Sequence, residues 1–118
     1  MQPKKDRRTR RATHTQRALE YLLEAVTEKF RLLGIVLSDQ DGLLVAGSSP
    51  LVDAEEMAAV APLVAREKKD RPLFGWPLQA WEVRTPYGNL ALCAIGERGA
   101  ATAASLHAAR RIRAILEE

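Results

Sequence analysis

Asp39 and Asp41 sit one residue apart, just before Gly42 and between two apolar runs. In this 118-residue chain they come nearest to a chemical pair. A calcium loop is one use for such spacing. It needs further oxygen ligands at its fifth and twelfth positions. Leu43 and Pro50 stand there, which excludes it. His14 and His107 have no Cys or His companion at ligand spacing, so a zinc site is not expected. The single cysteine, Cys93, lies in the apolar run Leu90–Ile95 and reads as an inert core thiol. Gly96-Glu97-Arg98-Gly99 precedes a helical run, where backbone N–H groups can receive an anion. The Lys-Ser/Thr of a phosphate loop is missing, and a plain loop is the simpler reading. Trp76 and Trp81 are either core residues or anchors for a partner, since Trp is enriched at interface hot spots.

Val36 to Gly42 also resembles the first motif of haloacid-dehalogenase-type phosphatases, an apolar strand ending in Asp-x-Asp-Gly. The resemblance implies Asp39 as nucleophile and Asp41 as acid/base. The Thr that follows the glycine in that family is Leu43 here. No strand-ending Ser/Thr motif and no paired acidic motif for magnesium follows downstream. Asp-Gly between two apolar runs has a simpler meaning. Asp bonds its own backbone and Gly supplies the positive φ of a tight reversal, which predicts a β-hairpin with its tip at 39–42. No catalytic constellation is assembled, so the chain reads as a binding or regulatory module. It is not expected to be an enzyme, to carry a cofactor or to take a small-molecule substrate.

The elements that position these residues follow from periodicity. Leu19, Leu22, Leu23, Val26, Phe30 and Leu33 form a helical stripe. Thr13 with Gln16 has capping-box spacing at its start, and Gly34 has the place of a C-terminal glycine. Both hairpin strands, 35–37 and 43–46, are apolar on both alternating sets. That predicts a position inside a sheet covered on both faces. Asp53 with Glu56 caps a second helix over 53–68, with Met57, Val60, Leu63 and Val64 on its apolar side. Pro62 lies inside it and is expected to kink or split it. Residues 67–72 read as a surface loop. Gln79–Arg84 alternates as a strand, Pro86-Tyr87-Gly88-Asn89 is a turn, and Leu90–Ile95 is a central strand. Leu73–Pro77 is ambiguous, because Pro77 argues against a central ladder. A last helix covers 100–118, with Leu106, Ala109, Ile112, Ile115 and Leu116 on its buried side.

The composition, 47% apolar and 28% charged, is that of one globular domain. Such a chain buries enough surface to fold without disulfide or metal. One cysteine, no bilayer-length apolar run and no secretory apolar segment lead to the expectation of a cytoplasmic protein. The net charge of +3 is uneven. Residues 1–17 hold seven basic side chains against one acid, a net of +6, which leaves −3 for the remainder. Residues 1–14 therefore read as a basic, disordered tail and 15–118 as the domain. Residues 1–12 are the only stretch suited to nucleic acid or an anionic membrane, and they lack aromatics for base stacking.

The order helix, hairpin, helix, antiparallel strands, helix resembles the roadblock family, which includes dynein light chains and bacterial partners of small Ras-like GTPases. The likeness rests on Gly34–Ala46 (GIVLSDQDGLLVA), Asp53–Ala61 (DAEEMAAVA) and Asn89–Gly96 (NLALCAIG), and spans residues 16–118 in element order. It implies an α/β fold with a mostly antiparallel sheet of four or five strands, α-β-β-α-β-β(-β)-α. The fifth strand is left to Leu73–Trp76 or is absent. The resemblance further implies a bacterial or archaeal homodimer that binds a small Ras-like GTPase. The candidate dimer interface is then Met57, Val60, Leu63, Val64, Leu78, Ala80, Trp81, Glu82 and Arg84, with Trp76, Trp81 and Arg84 as a candidate partner surface. Arg84, Arg98 and Arg110 are conceivable arginine donors to a GTPase. The alternative within this class is a scaffold subunit without a GTPase partner.

Overall fold

The computed structural model describes residues 3–68, 71–73 and 75–117, with side chains described from His14 onward. Its elements are α1 (Pro3–Phe30), β1 (Gly34–Ser38), β2 (Leu44–Ser48), α2 (Ala54–Glu67), β3 (Arg71–Leu73), β4 (Trp76–Thr85), β5 (Gly88–Ile95) and α3 (Arg98–Leu116). The five strands form one antiparallel sheet in the order β2-β1-β5-β4-β3. Helices α1 and α3 cover one face, where Leu19, Leu23, Ile35, Leu37, Leu92 and Ile112 meet. Helix α2 covers the other, over Val36, Met57, Leu78, Cys93 and Ile95. The central strands β1 and β5 feed both layers, which is why they are apolar on both alternating sets.

The hairpin at 39–42 is present, but its two strands differ. β1 is interior and fully buried, whereas β2 is an edge strand and Leu44 is 40% exposed. Asp39 builds the turn. Its Oδ1 accepts the N–H of Asp41 at 2.9 Å and of Leu43 at 3.0 Å. Gly42 has φ +82°, and a Cβ there would stand 3.1 Å from the Ala59 carbonyl oxygen of α2. Glycine is required both for the turn and for the close approach of α2.

α1 starts at Pro3, well before the Thr13–Gln16 pair, and takes in the segment set apart as a tail. Proline suits a first helical position, and the Lys, Arg and Ala that follow are good helix formers. The side chains of the basic residues 4–11 lie outside the described set. Arg31, not Gly34, ends the helix, with φ 53° and a Leu32 N–H to Thr27 carbonyl bond of 3.0 Å. Gly34 instead opens β1, where a Cβ would stand 2.5 Å from Ser49 Oγ.

Asp53 caps α2 as expected, accepting from Glu55 and Glu56 N–H. Pro62 does not split α2, which runs continuously through it. Pro62 is buried, so its ring joins the helix–sheet layer. On α3, Leu106 is 63% exposed rather than buried. The face against the sheet is Ala101, Ala104, Ser105, Ala108 and Ile112, and these small side chains let the helix lie close.

The fifth strand is β3, slightly earlier than the 73–76 option. It belongs to the stretch read as a loop; Lys69, Asp70 and Phe74 lie outside the described residues. Pro72 and Pro77 face each other in the β3–β4 ladder. The β5 ladder of β4 begins only at Leu78, so Pro77 sits where β4 overhangs the sheet. Two residues without N–H groups are tolerated there.

Candidate functional site

The sheet has two outer strands, and one of them leaves a long stretch of its neighbour uncovered. β3 pairs with residues 76–78 of β4 only. Gln79–Thr85 is bound to β5 on one side and, among the described residues, has no strand on the other. A half-open groove of about 420 Å³ runs along this edge. Its floor is Gln79, Ala80, Trp81 and Glu82, with Ala65 and Lys68 of α2 on one wall and Thr102 of α3 on the other. Thr102 Oγ1 lies 3.1 Å from Gln79 Oε1, tying α3 to the start of the open edge. Unpaired backbone N–H and C=O groups between two helices form a seat for an added strand.

Along β4 the side chains alternate. Trp81 and Val83 face the α1/α3 layer, while Leu78 and Ala80 face α2. Glu82 and Arg84, on the α2 side, are exposed, and among the described residues neither makes an ion pair.

The sequence-derived candidates divide by burial. Met57, Val64 and Leu78 are fully buried within the protomer and shape the surface only from behind. Val60, Ala80 and Trp81 are half-buried, and Glu82 and Arg84 are exposed. Leu63 and Trp76 are each 45% exposed, a large solvent area for apolar side chains. The edge groove brings Ala80, Trp81 and Glu82 together with Ala65, Lys68 and Thr102, which the sequence reading did not single out. Their signal was weak, since small or polar helix residues become walls only once the sheet order is known. Arg98 and Arg110 both lie on α3.

The other chemical candidates occupy structural places. Asp39 is engaged in its own turn. The three-group clusters of His, Cys, Asp and Glu that a metal ion would need do not occur among the described residues. Cys93 is fully buried in β5, and desolvation pushes its thiol far above the ordinary range. Glu97 is the N-cap of α3, its carboxylate accepting from Ala100 N–H at 2.9 Å and Gly99 N–H at 3.0 Å. These two bonds, that to Ala100 first, lower its pKa. The carboxylate thus occupies the helix N-terminus where an anion was considered. Among the described residues no helix is long and apolar enough to cross a membrane.

Three helices on a five-stranded antiparallel sheet in this order and layering make the roadblock fold. Among the solved structures it is similar to are MglB proteins. MglB of Myxococcus xanthus is 12% identical, with a TM-score of 0.65 over 85% of this chain and 88% of the other. The gliding protein MglB of Thermus thermophilus is 13% identical, with a TM-score of 0.69 over 87% and 91%. An MglB in a tetrameric arrangement is 14% identical, with a TM-score of 0.67 over 87% and 90%. At these identities the likeness is one of fold. No protein-family model matches the chain. No curated protein matches it in sequence.

Proposed function

We propose that the protein is a homodimeric, non-catalytic regulator that binds a small Ras-like GTPase in the bacterial cytoplasm and adjusts the GTPase's nucleotide cycle or location. The observation that carries this reading is the roadblock fold, shared over most of the chain with MglB proteins, one of them a gliding protein. Self-association is supported by the uncovered β4 edge. An open edge invites aggregation, and pairing it with its own copy removes that hazard. A two-fold contact must be self-complementary, which an antiparallel strand pair satisfies. Val60, Leu63, Ala80, Trp81, Glu82 and Arg84 are the accessible members of this interface. Trp76 offers exposed apolar area to the GTPase. The regulator acts by ordering the GTPase's own switch loops or by supplying an arginine.

The test is affinity capture from the source organism's extract with GDP or a non-hydrolysable GTP analogue. Retention of a Ras-like GTPase in one nucleotide state is the expected result, and the preferred state tells which conformation is stabilised. Retention of another protein complex, with no GTPase in either state, would replace the regulator by a scaffold.

A further inference from the structure

The geometry points to one register for this self-association. Two copies pair antiparallel along β4 about a two-fold axis at Val83, which sets Glu82 of each copy against the partner's Arg84. The inference rests on the homodimer reading above and specifies its contact. A two-fold axis perpendicular to the sheet keeps each face on its own side, so a β4 residue can meet only a partner residue of the same alternation. That leaves few axes. An axis at Trp81 sets Arg84 opposite the partner's Leu78, a position already paired with Arg71 of β3. Axes nearer the start of β4 overlap β3 further. An axis at Glu82 opposes two glutamates, and one at Arg84 opposes two arginines; like charges directly opposite destabilise a strand pair. Beyond Arg84 the strand ends at Thr85 and the ladder becomes too short.

The Val83 axis alone puts opposite charges face to face, twice per dimer. It pairs residues 81–85 of each copy, and the partner's turn falls where β3 has ended. Glu82 and Arg84 are exposed on the same side of the strand, and among the described residues neither has an ion-pair partner within the protomer. In the pair they face each other across the axis. Arg84 is then committed to the dimer and is not an arginine donor to a GTPase.

The experiment is sedimentation equilibrium of the full chain as wild type, Glu82→Arg, Arg84→Glu and the double exchange. Each single exchange turns two attractive pairs into repulsive ones, and Kd should rise by about tenfold or more. The double exchange restores opposite charges and should return Kd to near the wild-type value. Glu82→Gln and Arg84→Gln, which remove a charge without reversing it, should fall between. Both positions are exposed, so folding is expected to hold, and circular dichroism checks it. A wild-type dimer indifferent to the single exchanges, or not rescued by the double one, overturns this register while the homodimer stands. A wild type that stays monomeric overturns both.

Discussion

Asp39 shows how a residue with the chemistry of a nucleophile can serve geometry instead. One of its oxygens accepts two backbone N–H groups of its own turn. Asp39→Ala should therefore cost about 0.5–1.5 kcal/mol in urea unfolding, the net worth of such bonds where water can take up the freed N–H groups. Asp39→Asn keeps an acceptor and should cost less. On the phosphatase alternative the same Asn variant abolishes magnesium-dependent phosphate release, so assaying the wild type for that release separates the two uses. Gly42→Ala meets a positive φ and the Ala59 backbone together, and about 1–3 kcal/mol of stability should be lost. Glu97 carries a pH signature. Its pKa is lowered by the bonds from Ala100 and Gly99, so the folded state favours the ionised form. That contribution is complete above the unfolded value of about 4.3 and disappears as pH falls through the lowered folded value. The wild type should melt above Glu97→Gln at pH 7, and the gap should close on acidification below about pH 4.

Elements were legible in the sequence where a local signal and the tertiary environment agree. Asp53 caps α2, the 39–42 turn joins β1 to β2, and Leu90–Ile95 forms the buried part of β5. They were illegible where long-range packing decides. Nothing local distinguishes β1 from β2, since only the sheet order makes one central and the other an edge. Three residues containing Pro72 do not announce a strand, and β3 exists because β4 overhangs β5. The edge groove combines α2, β4 and α3, so its walls appear only after folding, although Trp81 and Glu82 on its floor stand out in the sequence. α3 gives a sharp case. Its large apolar Leu106 points outward, while a run of alanines with Ile112 faces the sheet. Size misled there, because close helix–sheet approach favours small residues. Leu106→Ala should change stability by less than about 0.5 kcal/mol and Ile112→Ala should cost about 2–5 kcal/mol, measured by thermal or urea unfolding. Equal effects would place the helix on the wrong face.

At the scale of the whole molecule, charge and packing separate along the chain. Residues 1–12 hold six basic side chains and one acid, while the described core begins on α1 at Leu19. Deleting residues 1–12 changes the net charge from +3 to −2 and removes no described core contact. The shortened protein should melt close to the full chain and keep the same self-association by sedimentation. It should move from cation-exchange to anion-exchange retention at pH 7. If the basic segment also holds a nucleic acid or an anionic vesicle, that binding is carried by counterion release. It should then weaken steeply with salt and vanish with the deletion, leaving GTPase capture unchanged. Loss of self-association on deletion would mean that the N-terminal part of α1 reaches the partner copy. The interface would then extend beyond the β4 edge and the helices that flank it.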